Sequence, residues 1–190
     1  MSAGSPAVHR ALRSEIGFAV GIVAAVGVTF FLVGYPRSVA GAGLAVITLM
    51  IARADWRERI IPNRASLAAA ALALVLALMA DEPGAALVAA LTRGASLFLL
   101  FFGFRYAYRL WRGREGLGLG DVKLAGVLGL WLDWPYISFA IELACLAAIA
   151  FVLMSKLVSR QAIDGLTKLP FGAFLAPAIW ATWMWENMAV

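Results

Sequence analysis

The stretch IGFAVGIVAAVGVTFFLV, residues 16–33, is the first of several apolar runs that decide the fold. It contains no charged side chain, and it approaches the roughly 20 apolar residues that a helix needs to cross the hydrocarbon core of a bilayer. The whole chain of 190 residues is 63% hydrophobic and 14% charged, and its mean hydropathy is +0.88. Soluble domains are about 45–50% apolar and about 25% charged. We therefore predict an all-α, polytopic membrane protein.

Seven candidate membrane helices follow one another along the chain. The apolar runs place them at about residues 16–34, 38–54, 64–80, 84–104, 120–133, 136–156 and 170–187. We expect residues 1–15 to form a cytoplasmic tail, residues 16–34 an extra N-terminal helix, and residues 38–187 the core of a single domain. Arg10 and Arg13 before the first run are typical of a signal peptide. That run exceeds the about 7–15 residues of a signal-peptide core, so we interpret it as a retained helix.

Positive charge is distributed unevenly between the loops. If the spans alternate in direction, 14 of the 16 Lys and Arg residues fall on one side. Cytoplasmic loops are enriched in Lys and Arg, so we predict a cytoplasmic N-terminus and an external C-terminus. The same asymmetry accounts for the net charge of +5 and the pI near 9.9. No basic stretch has the pattern of a nucleic-acid module, so we expect the lipid bilayer, and no nucleic acid, as a partner.

Two further features of the spans give predictions about packing. Arg93 and Glu142 both lie inside spans at a comparable depth, and an unpaired charge there is costly, so we predict an ion pair between them. Tryptophans are enriched at membrane interfaces. Five of them are therefore predicted to lie as anchors at the outer boundary, namely Trp131, Trp134, Trp180, Trp183 and Trp185.

Two aspartates are predicted at the same depth, at the cytoplasmic edge of the apolar layer. Asp55 follows the second span in IARADWRERIIPN, residues 51–63, and Asp121 opens the fifth span in GLGLGDVKL, residues 116–124. Taken alone, Asp121 is typical of a helix N-cap, and Asp55 of a solvated charge among arginines. An ionisable residue at the membrane edge is nevertheless a functional hypothesis by default.

The composition favours a catalytic mechanism based on paired carboxylates. No histidine lies in or near a span, so Ser–His and Cys–His pairs lack a base, and there is no HExxH zinc motif. We expect neither a metal ion nor another cofactor. Two close aspartates share one proton. The ionised aspartate then takes a proton from water, and the protonated one polarises the carbonyl of a peptide bond.

The sequence around Asp121 gives further expectations about such a site. Gly118 and Gly120 would let an extended substrate backbone approach Asp121. A helix dipole favours an anion at the N-terminus of its helix and disfavours one at the C-terminus. We therefore predict that Asp121 holds the negative charge, reinforced by Lys123, and that Asp55 holds the shared proton.

Three sequence motifs lie in order on the predicted cytoplasmic side. They are Asp55 followed by RERIIPN, then GLGLGDVKL, and then LPFGAFLAPA at residues 169–178. Together they resemble the type IV prepilin peptidases, which are GxGD-type aspartic proteases of the bacterial inner membrane. The resemblance covers residues 38–187 and implies that Asp55 and Asp121 are the catalytic pair. It also implies a peptidase that cuts the basic leader from prepilins or pilin-like precursors at the cytoplasmic face. We expect residues 16–187 to form a single transmembrane peptidase domain, in which residues 16–34 are an extra helix outside the family-like core.

The other motif residues are expected to support this pair. Pro62 fits the first turn of the third span, and Asn63 is placed to hydrogen-bond nearby backbone. In the third motif, we expect Phe171 and Gly172, after Pro170, to form a close helix contact.

The sequence also departs from the larger members of the family that it resembles. Those members carry a cysteine-rich N-terminal loop and methylate the new N-terminus, whereas this chain has one cysteine, Cys145. It therefore resembles the short, peptidase-only form found with tight-adherence pilus systems. The third motif often reads PFGPF, and Ala173 replaces the second proline here.

Two alternative functions stay open from the sequence. The first is another GxGD intramembrane protease, similar to the presenilin or signal peptide peptidase group, although those place a tyrosine where Ala54 precedes Asp55 here. The second is a small transporter component that uses the aspartates as ion ligands.

Overall fold

Each predicted span corresponds to an α-helix in the computed structural model. The structure describes residues 6–35, 37–114, 116–159 and 169–188, without the side chains of residues 6–12 and 158–159. Within these ranges the helices are α1 (Pro6–Leu32), α2 (Arg37–Glu58), α3 (Asn63–Leu78), α4 (Pro83–Arg112), α5 (Leu119–Trp131), α6 (Trp134–Ser159) and α7 (Gly172–Met188). The all-α prediction is therefore confirmed. The predicted basic loop after α6 includes Arg160 and Lys168, which lie outside the described residues.

Four helices in the described part of the chain are long and apolar enough to span a membrane. These are α2, α4, and the stretches Arg13–Leu32 of α1 and Trp134–Leu157 of α6. The remaining three helices are shorter, and α5 has 13 residues. At 1.5 Å per residue α5 is about 20 Å long, whereas the hydrocarbon core is about 30 Å thick. A polytopic membrane protein is supported, whereas seven complete crossings and their orientation stay predictions.

Several helices extend beyond the predicted apolar spans. α1 begins at Pro6, so part of the predicted tail is helical, and α2 continues to Glu58, so Asp55 lies in its last turn. α4 runs to Arg112 and ends at Gly113, which has a φ of 65°. That left-handed conformation is the usual way to end a helix on glycine. The end of α4 is therefore set by its capping glycine rather than by the end of the apolar run.

The two short helices α5 and α7 form the centre of the protein. Their most deeply buried side chains are Val122, Leu124, Leu128, Leu175, Ile179 and Trp183. α5 packs against α3, α4 and α7, while α7 packs against α2, α5 and α6. This arrangement buries most of α5 and α7, including the first residue of α7, Gly172, whereas the start of α5 at Gly118 and Leu119 stays exposed.

Glycines allow α4 and α5 to approach closely. A Cβ atom added to Gly129 would lie 2.6 Å from the carbonyl oxygen of Arg93, and one added to Gly94 would lie 2.9 Å from Leu130 Cγ. Small residues at such contacts let helix backbones meet inside membranes. The α4–α5 contact therefore depends on the missing side chains of these two glycines.

The predicted ion pair between Arg93 and Glu142 is wrong. Arg93 Nη1 lies 2.9 Å from Asp133 Oδ1, and its Nε donates to the carbonyl oxygen of Gly129 at 3.2 Å. Glu142 is exposed on α6. The physical reason is that α4 packs on α5, so the long arginine side chain reaches along α5 to the acidic loop that follows it.

The prediction that five tryptophans anchor the outer interface is wrong for two of them. Trp131 and Trp183 are buried, and their rings meet edge to face with centroids 5.8 Å apart. Trp131 Nε1 donates to the carbonyl oxygen of Ala69 at 2.9 Å, which satisfies its polar atom inside the core. Trp134 and Trp185 are exposed, as an interface position requires.

The extra helix α1 is attached to α2 through charged side chains. Glu15 of α1 forms ion pairs with Arg53 and with Arg57, the latter at 3.2 Å. The Arg53 guanidinium also lies over the ring of Phe18, 4.4 Å from its centroid. These contacts hold α1 beside the end of α2 that carries Asp55.

Candidate two-aspartate site

Asp55 lies buried in the last turn of α2 and contacts the first turn of α7. Its Oδ2 accepts a hydrogen bond of 2.8 Å from the backbone N–H of Ala173. The first four N–H groups of an α-helix have no partner within the helix. Asp55 therefore satisfies one of these N–H groups at the start of α7, although Asp55 and Ala173 are 118 positions apart in the chain. Neither sequence motif alone indicates this contact.

Asp121 lies in the first turn of α5, three residues after the N-cap Gly118. Its carboxylate reaches back to the backbone of Gly118 in a hydrogen bond. A residue at this position commonly satisfies the N-cap N–H in this way. Asp121 therefore has the local capping role that its position in the sequence suggests, and it is also part of a second arrangement.

The two aspartates are brought into electrostatic range of each other. The charge of Asp55 acts on Asp121, although the residues belong to different helices. Ile61, in the loop between α2 and α3, packs between the start of α5 and the start of α7. A Cβ on Gly120 would lie 3.0 Å from Ile61 Cβ, and a Cβ on Gly172 would lie 2.6 Å from Ile61 Cδ1 and 3.0 Å from Asp55 Oδ2. Two glycines therefore allow the three chain segments to converge.

The two glycines of the GxGD motif differ in their surroundings. Gly118 is exposed in extended backbone before α5, as an approach for substrate requires. Gly120 lies inside the first turn of α5 and faces Ile61. The expectation that both glycines form an open edge fits Gly118, whereas Gly120 is needed for close packing.

Lys123 and Asn63 contact each other beside the aspartates. Lys123 Nζ donates to Asn63 Oδ1 at 2.7 Å, which links α5 to the first residue of α3. From the sequence, we expect Lys123 to reinforce the charge of Asp121 and Asn63 to hydrogen-bond nearby backbone. In the structure, Lys123 and Asn63 are instead hydrogen-bonded to each other.

Prolines precede α3 and α7, and Pro62 is the N-cap of α3 rather than a residue of its first turn. The Pro62 carbonyl oxygen accepts the N–H of Ser66 at 3.2 Å. The carbonyl oxygen of Pro170 accepts the N–H of Ala173, also at 3.2 Å. Phe171 packs against the core and precedes the buried Gly172. A Cβ on Gly172 would lie 2.6 Å from Ile61 Cδ1, so Gly172 lies against the loop between α2 and α3, and the helix contact expected there stays a prediction.

Ile61 and Trp56 were not singled out from the sequence as site residues. Ile61 is buried, whereas its neighbour Ile60 in the same loop is exposed, and no signal in the sequence separates the two. Trp56 follows Asp55 directly, is half exposed, and lies edge to face with Phe151 and Phe174, at centroid distances of 5.0 Å and 6.1 Å. Its partners come from α6 and α7, and no local sequence pattern indicates this aromatic cluster.

The fold and the site together define a class of protein: a helical, polytopic membrane protein with two aspartates held at converging helix ends. In the described ranges, His, Cys, Asp and Glu side chains do not gather in any group of three or more that could hold a metal ion.

Comparisons with known proteins agree with this class. The model of the type IV leader peptidase family matches residues 42–153, a segment that contains both aspartates. A prepilin leader peptidase/N-methyltransferase of Pseudomonas aeruginosa is 37% identical over 91 residues, which cover 47% of this chain and 30% of that relative. A protein of the same name from Burkholderia pseudomallei is 30% identical over 139 residues, which cover 73% of this chain and 44% of that relative. No solved structure matches the chain.

The chain belongs to the type IV leader peptidase family. It spans less than half the length of these two curated relatives.

Proposed function

We propose that this chain is a membrane aspartic endopeptidase that removes the basic leader from type IV prepilins or related pilin-like precursors. The observation that carries the proposal is the convergence of Asp55 and Asp121 around Ile61 and Gly172. Family membership supports the peptide-cleaving activity. The methyltransferase activity in the relatives' names is not carried over, because the matches cover only 30% and 44% of those relatives.

The chemistry that we propose needs one ionised and one protonated aspartate. Asp55 accepts backbone hydrogen bonds at the start of α7, and the positive charge of Arg59 acts on it. Asp121 accepts a hydrogen bond from the backbone of Gly118. Hydrogen bonds and nearby cations stabilise a carboxylate in its charged form. These contacts favour a charged Asp55 and a protonated Asp121, the reverse of the assignment from the dipoles of their own helices, because the α7 N-terminus adds to the surroundings of Asp55.

In this assignment, Asp55 takes a proton from a water molecule while the water oxygen attacks the carbonyl carbon of the scissile peptide bond. Asp121 donates its proton to the carbonyl oxygen, which gives a neutral tetrahedral diol. Asp55 then returns its proton to the leaving nitrogen as the carbon–nitrogen bond breaks, and Asp121 regains a proton from the diol. The bond is hydrolysed without net proton gain by the protein.

The location of the site supports a particular side of the membrane. Asp55 lies among Arg53, Arg57 and Arg59, and Asp121 follows the basic end of α4. Basic residues concentrate on the cytoplasmic side of membrane proteins. We therefore propose a multi-pass protein of the bacterial inner membrane whose site faces the cytoplasm.

The test is cleavage of a co-expressed pilin-like precursor, which is measured from the size of the precursor on gels. We expect Asp55→Asn and Asp121→Asn to abolish cleavage while the chains remain membrane-inserted. Asp81→Asn is the matched control, because Asp81 is an exposed aspartate between α3 and α4. Normal cleavage by either of the first two variants would contradict the two-aspartate mechanism.

A further inference from the structure

The last turns of α4 carry an arginine on the side of the helix that faces the rest of the protein. Buried and half-buried residues follow one face of α4 at intervals of three or four positions, namely Gly94, Leu97, Phe101, Arg105 and Tyr108. The first three positions of this face hold glycine or apolar residues, whereas the neighbouring Tyr106 and Arg109 are exposed. Arg105 is therefore a charged residue on the inward face of α4, where a polar group needs a partner.

Arg105 binds the segment that leads into α5. Its guanidinium donates a hydrogen bond to the carbonyl oxygen of Leu117, 12 positions further along the chain. Tyr108, on the same face of α4, lies against Gly116, because a Cβ on Gly116 would lie 2.5 Å from two ring carbons of Tyr108. Gly116 and Gly118 are themselves exposed. These two contacts therefore attach residues 116–118, which we call segment 116–118, to the end of α4.

The peptide group between Leu117 and Gly118 connects Arg105 to Asp121. Its carbonyl oxygen accepts the hydrogen bond from Arg105, and its N–H, which belongs to Gly118, donates to the Asp121 carboxyl. A peptide group is planar, so a fixed carbonyl also fixes the direction of the N–H. Hydrogen bonds in series polarise one another, so a cation at the carbonyl oxygen strengthens the N–H as a donor. Arg105 therefore reaches Asp121 through a single peptide group.

The same peptide group orients the carboxyl of Asp121. Asp121 Oδ2 lies on the Gly118 side, 2.9 Å from the position that a Cβ on Gly118 would take. An oxygen that accepts an N–H is held in place, which leaves the other oxygen to hold the proton that Asp121 donates in the mechanism proposed above. A general acid must lie within hydrogen-bond reach of the atom that it protonates. A displacement of about 1 Å can lower the rate by about 100-fold.

We propose that Arg105 is a positioning residue for Asp121, because it holds the peptide group of Leu117 and Gly118 that orients the Asp121 carboxyl towards the scissile bond. This inference rests on the proposed function, since it gives Asp121 the role of proton donor. Tyr108 supports segment 116–118 from the same face of α4. Residues 105–112 of α4, which extend beyond the predicted membrane span, thus form part of the support of the site.

The first experiment removes the donor to Leu117. Arg105→Met keeps most of the side-chain length and removes the guanidinium, and Arg109→Met is the matched control, because Arg109 is exposed on the same helix. For cleavage of a pilin-like precursor, we expect Arg105→Met to lower kcat by about 10- to 100-fold with KM within about twofold. Arg109→Met should leave both constants within about twofold. Arg105→Lys retains a cation with N–H donors, so its kcat should exceed that of Arg105→Met by at least about threefold.

A second variant displaces segment 116–118 and leaves Arg105 in place. Gly116→Ala puts a methyl group 2.5 Å from the ring of Tyr108, so the segment has to shift, and kcat should fall by about threefold or more. In a Tyr108→Ala chain that ring is absent, so Gly116→Ala should cause no further loss, which the double variant tests. Thermal unfolding of each purified variant shows whether it is folded.

A third measurement reports on Asp121 without any cleavage. The infrared carboxyl band that Asp121→Asn removes should move to higher frequency in Arg105→Met, because a carboxyl group that loses a hydrogen bond at its carbonyl oxygen has a stiffer carbon–oxygen double bond. The band should stay in place in Arg109→Met.

Several kinetic outcomes would overturn the proposal and leave the peptidase intact. A native kcat in folded Arg105→Met or Gly116→Ala would show that segment 116–118 does not position Asp121. A raised KM with an unchanged kcat would assign Arg105 to substrate binding instead. A lower unfolding midpoint in Arg105→Met, together with a kcat that Arg105→Lys does not recover, would make Arg105 a purely structural residue.

The infrared band separates this proposal from the proposed function. If the native chain cleaves no pilin-like precursor, the proposed function fails, and a band that shifts in Arg105→Met but not in Arg109→Met still sustains the link from Arg105 to Asp121. An unshifted band refutes that link. A native chain without a carboxyl band that depends on Asp121 also overturns the proposal, because Asp121 would then not be the proton donor.

Discussion

Replacing Gly172 with alanine adds one methyl group at the point where Asp55 meets α7. The new Cβ would lie 2.6 Å from Ile61 Cδ1 and 3.0 Å from Asp55 Oδ2, whereas non-bonded carbon atoms prefer about 3.5–4.0 Å. Ile61 and Asp55 would therefore have to move by up to about 1 Å. We expect the Asp55 carboxylate to be displaced from the N–H of Ala173, which it now contacts at 2.8 Å.

The expected size of the effect follows from that lost contact. A hydrogen bond to a charged group contributes about 1.5–3 kcal/mol, and about 1.4 kcal/mol corresponds to a factor of ten in rate. Gly172→Ala should therefore lower kcat/KM for precursor cleavage by about 10- to 100-fold. A displacement of about 1 Å at a reacting group has a comparable cost.

The assay is cleavage of the precursor by purified protein in lipid vesicles, with thermal unfolding measured in parallel. Gly103→Ala is the matched control, because a Cβ at Gly103 would meet no atom within 4 Å. Ile61→Val removes the Cδ1 atom, so in combination with Gly172→Ala it removes the shortest contact, leaves Cγ1 of residue 61 at 3.2 Å, and leaves the contact with Asp55 unchanged. We expect the double variant to regain thermal stability and to remain slow. A stable Gly172→Ala chain that cleaves at the native rate would refute the reasoning.

Three other predictions address packing and protonation. Gly129→Ala, whose new Cβ would lie 2.6 Å from the carbonyl oxygen of Arg93, should destabilise the protein by about 1–3 kcal/mol; an unchanged thermal unfolding midpoint would argue against a tight α4–α5 contact. Trp131→Phe removes the indole N–H that donates to the carbonyl oxygen of Ala69 and leaves part of the indole's buried volume empty, and should cost about 1–3 kcal/mol, measured by the same unfolding; an unchanged midpoint would contradict a tightly packed Trp131. Infrared spectra should show a protonated carboxyl band that Asp121→Asn removes; survival of that band would show that the shared proton is elsewhere.

The candidate catalytic residues could be found from the sequence because ionisable residues are costly at the edge of a membrane span, so an aspartate there is conspicuous. Asp55 and Asp121 each adjoin a long apolar stretch, and few polar residues compete with them at that depth. Their contacts could not be found in the same way. The hydrogen bond from Ala173 to Asp55 joins residues 118 positions apart, and no local pattern specifies which helix start will lie beside which helix end.

The partner of Arg93 shows the same limit for charged residues. The sequence placed Arg93 inside a helical span, as the structure does, and the similar predicted depth of Glu142 was the reason for pairing the two. Depth does not specify direction around the helix axis, and the close approach of Gly94 and Gly129 turns α4 towards α5 and Asp133. Trp131 and Trp183 were misplaced for a related reason: tryptophan suits both an interface and a core, and only the packing of α5 against α7 buries them.

By itself, the sequence determined that the chain is helical and lies in a membrane, since long apolar runs can satisfy their backbone polar groups in a bilayer only by forming helices or closed barrels, and the runs are of helical length. It also determined which carboxylates are candidates for chemistry. Only the tertiary structure decided which helix faces meet, that Ile61 packs between the starts of α5 and α7, and that α3, α4 and α5 line an apolar groove. Those features depend on contacts between segments distant in the chain, whose energies are set by shape and rotation rather than by composition.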